Sequence, residues 1–125
     1  MTAALFLGIS LAGGLGAALR LVVDGLVRTR RPADPPWGTL VVNISGSLAL
    51  GLVTGLAAST FLPGPAQAVL GTGLLGGYTT FSTASVETVR LARQGRPLAT
   101  VLHGCGMLAG SVLAAAAGFL LGAAC

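Results

Sequence analysis

Charged side chains are scarce in this chain of 125 residues, and lysine is absent altogether. Only 8% of the residues are charged, whereas about a quarter is usual for a soluble domain. A chain this short has much surface for its volume, so most of that surface must be apolar. This excludes an ordinary soluble domain and predicts an integral membrane protein. The 54% share of hydrophobic residues fits a lipid environment.

The chain also lacks the groupings of residues that enzymes and metal sites require. It has three acidic residues and one histidine. No acid–base pair, nucleophile beside a base, or phosphate-binding loop can be found in the sequence. Its two cysteines, Cys105 and Cys125, have no metal-ligand spacing, and we expect no disulfide between them. The sequence therefore predicts that the protein is not an enzyme.

Four apolar stretches are each long enough to cross a bilayer core, which takes about 20 helical residues. They cover about residues 3–27, 38–61, 66–92 and 97–122, and short turns rich in proline and glycine separate them. We predict an all-α, polytopic membrane protein in which residues 1–125 form a single domain with four transmembrane helices. Two adjacent glycines destabilise a helix interior, so we expect the third helix to break near Gly76-Gly77 and to free backbone carbonyls there.

Small residues recur at every fourth position in three of these stretches. Such stripes allow two helix backbones to approach closely. We expect packing within the chain to use them, and they also leave room for oligomerisation. The stripes are Gly8, Ala12 and Gly16; Ser47, Gly51 and Gly55; and Gly106, Gly110 and Ala114.

The arginines are confined to one side of the predicted bundle. Six of the seven lie in or beside the loops 28–36 and 90–97, and none lies in the 62–65 loop or at the termini. The positive-inside rule places both arginine loops in the cytoplasm and both termini outside the plasma membrane. The high pI, about 10.6, therefore reflects topology, and we expect no nucleic-acid partner.

Polar side chains cluster within the predicted spans, where unpaired polar groups are costly. Asn43 offers two N–H donors, and its position is equally compatible with interhelical bonding and with anion binding. Phe81 could turn the electropositive edge of its ring toward an anion. Hydroxyl groups lie around it and deeper in the fourth span, at Thr79, Thr80, Ser82, Thr83 and Ser111.

Charged side chains near the predicted cytoplasmic face are expected to pair with one another. Arg20, Asp24 and Arg28 follow at four-residue spacing, which favours mutual pairing on one helix face. For Glu87 we expect Arg90 or Arg20 as the partner, with proton coupling as the weaker alternative. His103 is interpreted as a hydrogen-bonded packing residue.

Three segments together carry a family resemblance. They are Gly13-Gly14-Leu15-Gly16-Ala17 followed by Arg20, then residues 38–43 (Gly-Thr-Leu-Val-Val-Asn) with Gly46, and residues 76–83 (Gly-Gly-Tyr-Thr-Thr-Phe-Ser-Thr). In this order, and in a four-span chain of this size, they resemble the Fluc (CrcB) fluoride channels along almost the whole length. The resemblance implies a fluoride-specific ion channel that passively exports fluoride from the cytoplasm and relieves fluoride toxicity.

The family's site residues map onto this sequence position by position. The resemblance implies an antiparallel dimer with two pores and a structural sodium ion at its centre, bound by backbone carbonyls at positions matching Gly76 and Thr79. Asn43 matches the pore asparagine, Phe81 the first of two pore phenylalanines, and Ser111 a hydroxyl of the polar track. The predicted fluoride pore thus comprises Asn43, Thr80, Phe81, Ser82, Thr83 and Ser111.

One departure from the family pattern keeps a second function open. The second pore phenylalanine is replaced here by Ala84. Together with the one-sided arginines, this favours as an alternative a half-conducting or non-conducting subunit that pairs with an oppositely oriented paralogue. A small multidrug antiporter is less favoured, because such proteins need a membrane-embedded carboxylate and the first span has only Asp24, at its end.

Overall fold

The computed structural model describes residues 1–31 and 36–125, so residues 32–35 of the predicted loop 28–36 lie outside it. Within these ranges all regular structure is helical. Three long helices are α1, α2 and α6, at Ala3–Arg30, Trp37–Ala58 and Pro97–Ala123. Between α2 and α6 lie α3 (Gly64–Gln67), a π-helix (Ala68–Leu75), α4 (Gly76–Tyr78) and α5 (Ser82–Arg93).

The three long helices are each long and apolar enough to cross a membrane, with a mean hydropathy of 1.8 over their most apolar windows. They correspond to the first, second and fourth predicted stretches. Local sequence explains their ends: the Thr2 hydroxyl accepts a hydrogen bond from the Leu5 amide at the start of α1, and Pro97 occupies the first turn of α6.

The third predicted stretch is divided among several short elements. Gly76 and Gly77 lie within the helical turn of α4. The backbone then becomes extended at Thr79 (φ −79°, ψ 159°), and α5 begins at Ser82. The wider π-helix that precedes α4 is a form that often marks functional sites.

Glycines bring α2 and α6 into backbone contact. A Cβ at Gly51 would overlap the Ala115 carbonyl, and one at Gly118 would overlap the Leu48 carbonyl. The predicted stripe on α2 is therefore used, and the backbone contact on α6 is made by Gly118 and Gly122, while Gly110 of the predicted α6 stripe faces the side chain of Ile44 on α2. A Cβ at Gly106 would meet no described atom within 4 Å.

Helix α1 packs against the π-helix and α4 in the same manner. A Cβ at Gly77 would overlap the Gly13 carbonyl, and one at Gly16 would overlap the Leu74 carbonyl. Gly77 thus allows α1 to cross close to α4, which explains why a glycine occurs within this helical turn.

Three contacts hold one end of the bundle together. Arg28 Nη2 near the end of α1 lies 3.9 Å from Glu87 Oε1 of α5. Asp24 of α1 lies directly against Gly38 at the start of α2. His103 Nε2 of α6 lies 3.5 Å from Glu87 Oε2. The ends of α1 and α5 therefore meet the beginnings of α2 and α6, which places the arginines at the end of α1 and those at the end of α5 at the same end of the molecule.

Candidate functional site

The side chain of Asn43 connects α2 to the non-helical residues between α4 and α5. Its Nδ2 donates to the Thr80 carbonyl at 2.6 Å, and its Oδ1 accepts from the Thr80 amide at 2.9 Å. Both residues are buried. Thr80 has left the helix, so its backbone groups need other partners, and one amide side chain supplies both. We call this two-bond contact the Asn43–Thr80 clamp.

The second N–H of the Asn43 amide has a weaker partner. Nδ2 lies 3.1 Å from the sulfur of Met107 on α6. A thioether is a weak hydrogen-bond acceptor. Asn43 therefore bonds between helices, the first of the two roles left open by the sequence, and its second N–H group has only this weak acceptor.

The hydroxyl cluster organises the start of α5. Thr80 Oγ1 accepts from the Thr83 amide at 3.2 Å and donates to Thr83 Oγ1 at 3.2 Å. Ser82 Oγ lies 3.3 Å from the same Thr80 oxygen. The Thr80 hydroxyl thus caps the new helix, as serine and threonine do at helix N-termini. The Thr79 hydroxyl instead bonds back to the Leu75 carbonyl at 3.0 Å.

A groove of about 570 Å³ lies beside the clamp. Five of the eight predicted site residues line it: Asn43, Thr79, Thr80, Phe81 and Ser111. Phe81 is 87% exposed at this groove.

The other three predicted residues lie outside this groove. Ser82 and Thr83 are exposed residues at the start of α5, and Gly76 is exposed in α4. Ala84, the residue at the second phenylalanine position, does line the groove together with Met107.

A smaller cavity of about 110 Å³ also borders Thr80. It is lined by polar residues of α1, α2 and α5, namely Arg20, Asp24, Thr39 and Thr83, with Leu21 and Val42. Thr80 lines both spaces. Thr39 was not among the predicted residues, although its position four residues before Asn43 puts it on the same face of α2.

Arg20 contacts the non-helical segment rather than its neighbours on α1. Its Nη1 donates to the Thr79 carbonyl at 3.2 Å. The prediction of mutual pairing holds for Asp24 and Arg28, whose Oδ2 and Nε atoms are 3.0 Å apart, but it is wrong for Arg20. The reason is tertiary: the extended backbone at Thr79 presents a carbonyl without an intrahelical donor.

Glu87 is buried near the small cavity and has partners that the sequence did not predict. Its Oε1 accepts from the Thr39 hydroxyl at 2.6 Å. Arg28 and His103 are its nearest basic neighbours, at 3.9 and 3.5 Å. The expected pairing with Arg90 or Arg20 is wrong, because Glu87 faces α2 and α6 from the buried side of α5.

Comparison with known proteins places this chain in a family. The sequence profile described as "CrcB-like protein, Camphor Resistance (CrcB)" matches residues 7–119. The chain belongs to this family. It is 52% identical over 122 residues to "Fluoride-specific ion channel FluC 1" of Leifsonia xyli subsp. xyli (strain CTCB07), a match that covers 98% of this chain and 89% of the relative.

Two further relatives carry the same description. "Fluoride-specific ion channel FluC 2" of Cutibacterium acnes (strain DSM 16379 / KPA171202) is 47% identical, and the match covers 93% of this chain and 95% of the relative. Its namesake in Mycolicibacterium paratuberculosis (strain ATCC BAA-968 / K-10) is 44% identical, with coverages of 95% and 92%. The family resemblance is confirmed, and with it the expectation of a membrane protein that is not an enzyme.

Replacing Asn43 with leucine tests the clamp. Leucine is close to asparagine in shape but leaves the Thr80 amide and carbonyl without partners. We expect the free energy of unfolding to fall by about 1–3 kcal/mol for each buried group left unpaired. Thermal or denaturant unfolding in detergent micelles, followed through the fluorescence of the single tryptophan, would measure the loss.

Ser47→Ala is the matched control for this experiment. Ser47 lies one turn further along α2, and its hydroxyl makes no hydrogen bond to the residues that the structure describes. We expect its effect to stay within about 0.5 kcal/mol. An equal loss of stability in the two variants would show that the clamp does not stabilise the fold.

Proposed function

We propose that this chain is a subunit of a fluoride-specific ion channel that passively exports fluoride from the cytoplasm and so confers fluoride resistance. Membership of the CrcB family and the names of its relatives support this function. The observation that carries the proposal is the environment of Asn43. Asn43 lines the groove, and one N–H group of its amide is held only by a thioether.

The chemistry of fluoride fits this arrangement. The ion is small and tightly hydrated, so a pore must replace its water with N–H groups, O–H groups and aromatic edges. An anion that displaces Met107 gains the second N–H of Asn43 while the bonds to Thr80 stay intact. An ionic acceptor makes a stronger hydrogen bond than a thioether, so the exchange is favourable.

The two spaces beside Thr80 suggest a route for the ion. Fluoride would enter the small cavity, which Arg20 lines. Arg20 bonds a neutral carbonyl rather than a carboxylate, so its positive charge can attract the anion. The charge of Asp24 is offset by Arg28 at 3.0 Å. The ion would then pass the hydroxyls of Thr80, Ser82 and Thr83 and enter the groove beside Phe81 and Ser111.

The direction of transport follows from the sign of the membrane potential, whatever the orientation of the chain. The two described arginine groups lie at one end of the bundle, which supports a cytoplasmic position for the loops 28–36 and 90–97 and an outer position for both termini. In this orientation the chain spans the plasma membrane four times. A membrane potential, worth about 2.3 kcal/mol per charge for 100 mV, then drives an anion outward without any other energy source.

Phe81→Ile is the first test of this function. It removes the aromatic ring edge but retains the bulk, so we expect fluoride efflux from liposomes to fall about tenfold or more while the protein stays folded. The wild-type protein, with its partner subunit if one is required, should pass fluoride far faster than chloride. A fluoride-selective electrode records the efflux.

Phe61→Ile is the matched control for Phe81→Ile. Phe61 is 73% exposed, in the turn after α2, and it lines neither of the spaces beside Thr80. Its replacement should leave efflux unchanged. Equal chloride and fluoride fluxes in the wild-type protein would refute a fluoride-specific channel.

We further propose an antiparallel dimer that closes the groove and binds a structural sodium ion at its centre. The exposed Phe81 ring and the exposed Gly76 support a covered surface here. The sodium ligands would be the carbonyls of Gly76 and Thr79, since backbone oxygens suit a hard cation. The Thr79 carbonyl has left the helix, and it has two lone pairs, of which Arg20 uses one.

Gly76→Val separates this dimer site from the folding of the subunit. A Cβ at Gly76 would lie 3.7 Å from its nearest described neighbour, the Gly71 carbonyl, so the subunit has room for it. We expect normal thermal unfolding but weaker sodium-dependent dimerisation, whereas Thr79→Ser should be mild because only the backbone binds the ion. Crosslinking in sodium and in a bulky organic cation would measure assembly. Dimerisation that is equal in both salts would refute the proposed sodium site.

A second candidate function is a half-conducting or non-conducting subunit of a heterodimer. Two independent observations favour it. The arginines share one end of the bundle, so most copies should insert in one orientation and lack an inverted mate. Ala84 lines the groove without the second aromatic ring of the family pattern. The antiporter alternative has no such support, since the chain belongs to the CrcB family.

Expression of the chain alone in a fluoride-sensitive bacterium tests this alternative. If a paralogue is required, the chain alone should give little growth in fluoride, and co-expression with a relative whose arginine bias is reversed should restore growth. Cysteine crosslinking reports which subunits pair. Full resistance from this chain alone, with crosslinked antiparallel homodimers, would eliminate the heterodimer.

A further inference from the structure

A second cluster of titratable side chains lies beside the small cavity, and the proposed passage of fluoride makes no use of it. Glu87 of α5 and His103 of α6 form its centre, at 6% and 5% exposure. Buried charges are costly unless they are paired, so such a cluster calls for an explanation.

Two atoms of this cluster face each other without a hydrogen bond. Glu87 Oε2 and His103 Nε2 are both buried, neither has a hydrogen-bond partner among the described residues, and they are 3.5 Å apart. The other oxygen of Glu87 is already satisfied by the Thr39 hydroxyl. A proton placed between the two atoms would convert the contact into a charge-assisted hydrogen bond after a small approach.

The charges around Glu87 do not fully neutralise its carboxylate. From α1, Arg28 faces Glu87 at 3.9 Å, but its guanidinium is 3.0 Å from Asp24, so its charge is shared between two carboxylates. From α2, the facing group is the Thr39 hydroxyl, which does not titrate near neutral pH. The negative charge of Glu87 is therefore only partly offset when His103 is neutral.

Two helices connect this cluster to the Asn43–Thr80 clamp. Thr39, which bonds Glu87, precedes Asn43 by one turn of α2. His103 precedes Met107 by one turn of α6, and the Met107 sulfur accepts the second N–H of Asn43. A change in the Glu87–His103 contact thus acts on Thr39 and His103. These two residues lie one helical turn from Asn43 and Met107, respectively, the donor and the acceptor of that weak hydrogen bond.

We propose that Glu87 and His103 form a buried proton-binding site and that proton binding there increases fluoride conduction. This inference rests on the proposed channel function. A proton from water binds His103 Nε2, which then donates to Glu87 Oε2, and the charge of the pair changes from −1 to zero. An anion in the adjacent cavity no longer faces an incompletely offset carboxylate, so its entry becomes easier.

The dependence of fluoride current on pH tests the proposal. His103 is the only histidine in the chain, so a pH dependence that is lost in a His103 variant can be assigned to this side chain. In planar bilayers, the wild-type current should rise about fivefold from about pH 7.5 to 5.5, a typical strength for coupling between sites. The current through protein-free bilayers is subtracted.

Two variants isolate the two halves of the pair. His103→Gln keeps a hydrogen-bonding side chain without the titration, so its current should be independent of pH over this range. Glu87→Gln removes the negative charge permanently, so its current should be high and also independent of pH. A wild-type pH dependence that persists in His103→Gln would overturn the proposal, and so would a wild-type current that does not change with pH.

The protonation of His103 can also be observed without measuring transport. The single ¹⁵N-labelled imidazole gives its own NMR signals in nanodiscs, and Glu87→Gln should shift their titration if the two groups share a proton. An identical titration in wild type and Glu87→Gln would overturn the proton site, whatever the currents show. If the titration shifts but no variant passes fluoride at any pH, the proton site stands and the channel function is the part that fails.

Discussion

The two hydrogen bonds between the Asn43 side chain and the backbone of Thr80 are the contact on which the site depends. Thr80 lies between two helices inside an apolar bundle, so its amide and carbonyl have no helical partners, and lipid supplies none. A single buried amide from α2 satisfies both groups. The helix can therefore be interrupted between α4 and α5. The residues in this interruption expose Phe81 and lead into α5, which begins at Ser82.

Close contacts between helix backbones make this geometry possible. Glycines at the crossings of α2 with α6 and of α1 with α4 remove the side chains that would hold the helices apart. Asn43 can then reach Thr80, and Arg20 can reach the Thr79 carbonyl. The same closeness buries Glu87 against Thr39 and His103. Small residues thus set short distances between the helices, and these distances allow a few polar side chains to bond from one helix to another.

Much of this could be predicted from local sequence. Low charge, apolar stretches and the positions of arginine predicted a helical membrane protein, and Asn43, Phe81 and the hydroxyl cluster were selected because polar groups are costly in lipid. Other expectations were wrong at particular residues. Arg20 bonds Thr79 rather than Asp24, Glu87 faces Thr39 rather than Arg90, and α6 meets α2 through Gly118 rather than Gly106. Each of these three contacts depends on which face of a helix packs against which neighbouring helix.

By itself, the sequence determined the environment of the chain and its three long helices, and it drew attention to the polar residues within the predicted spans. These follow from composition and from contacts within one helical turn. Only the tertiary structure decided what those residues contact. Asn43 and Thr80 are 37 positions apart in the chain, and Asn43 and Met107 are 64 apart. No local pattern specifies such pairs, because they form only when several helices cross at set distances and rotations.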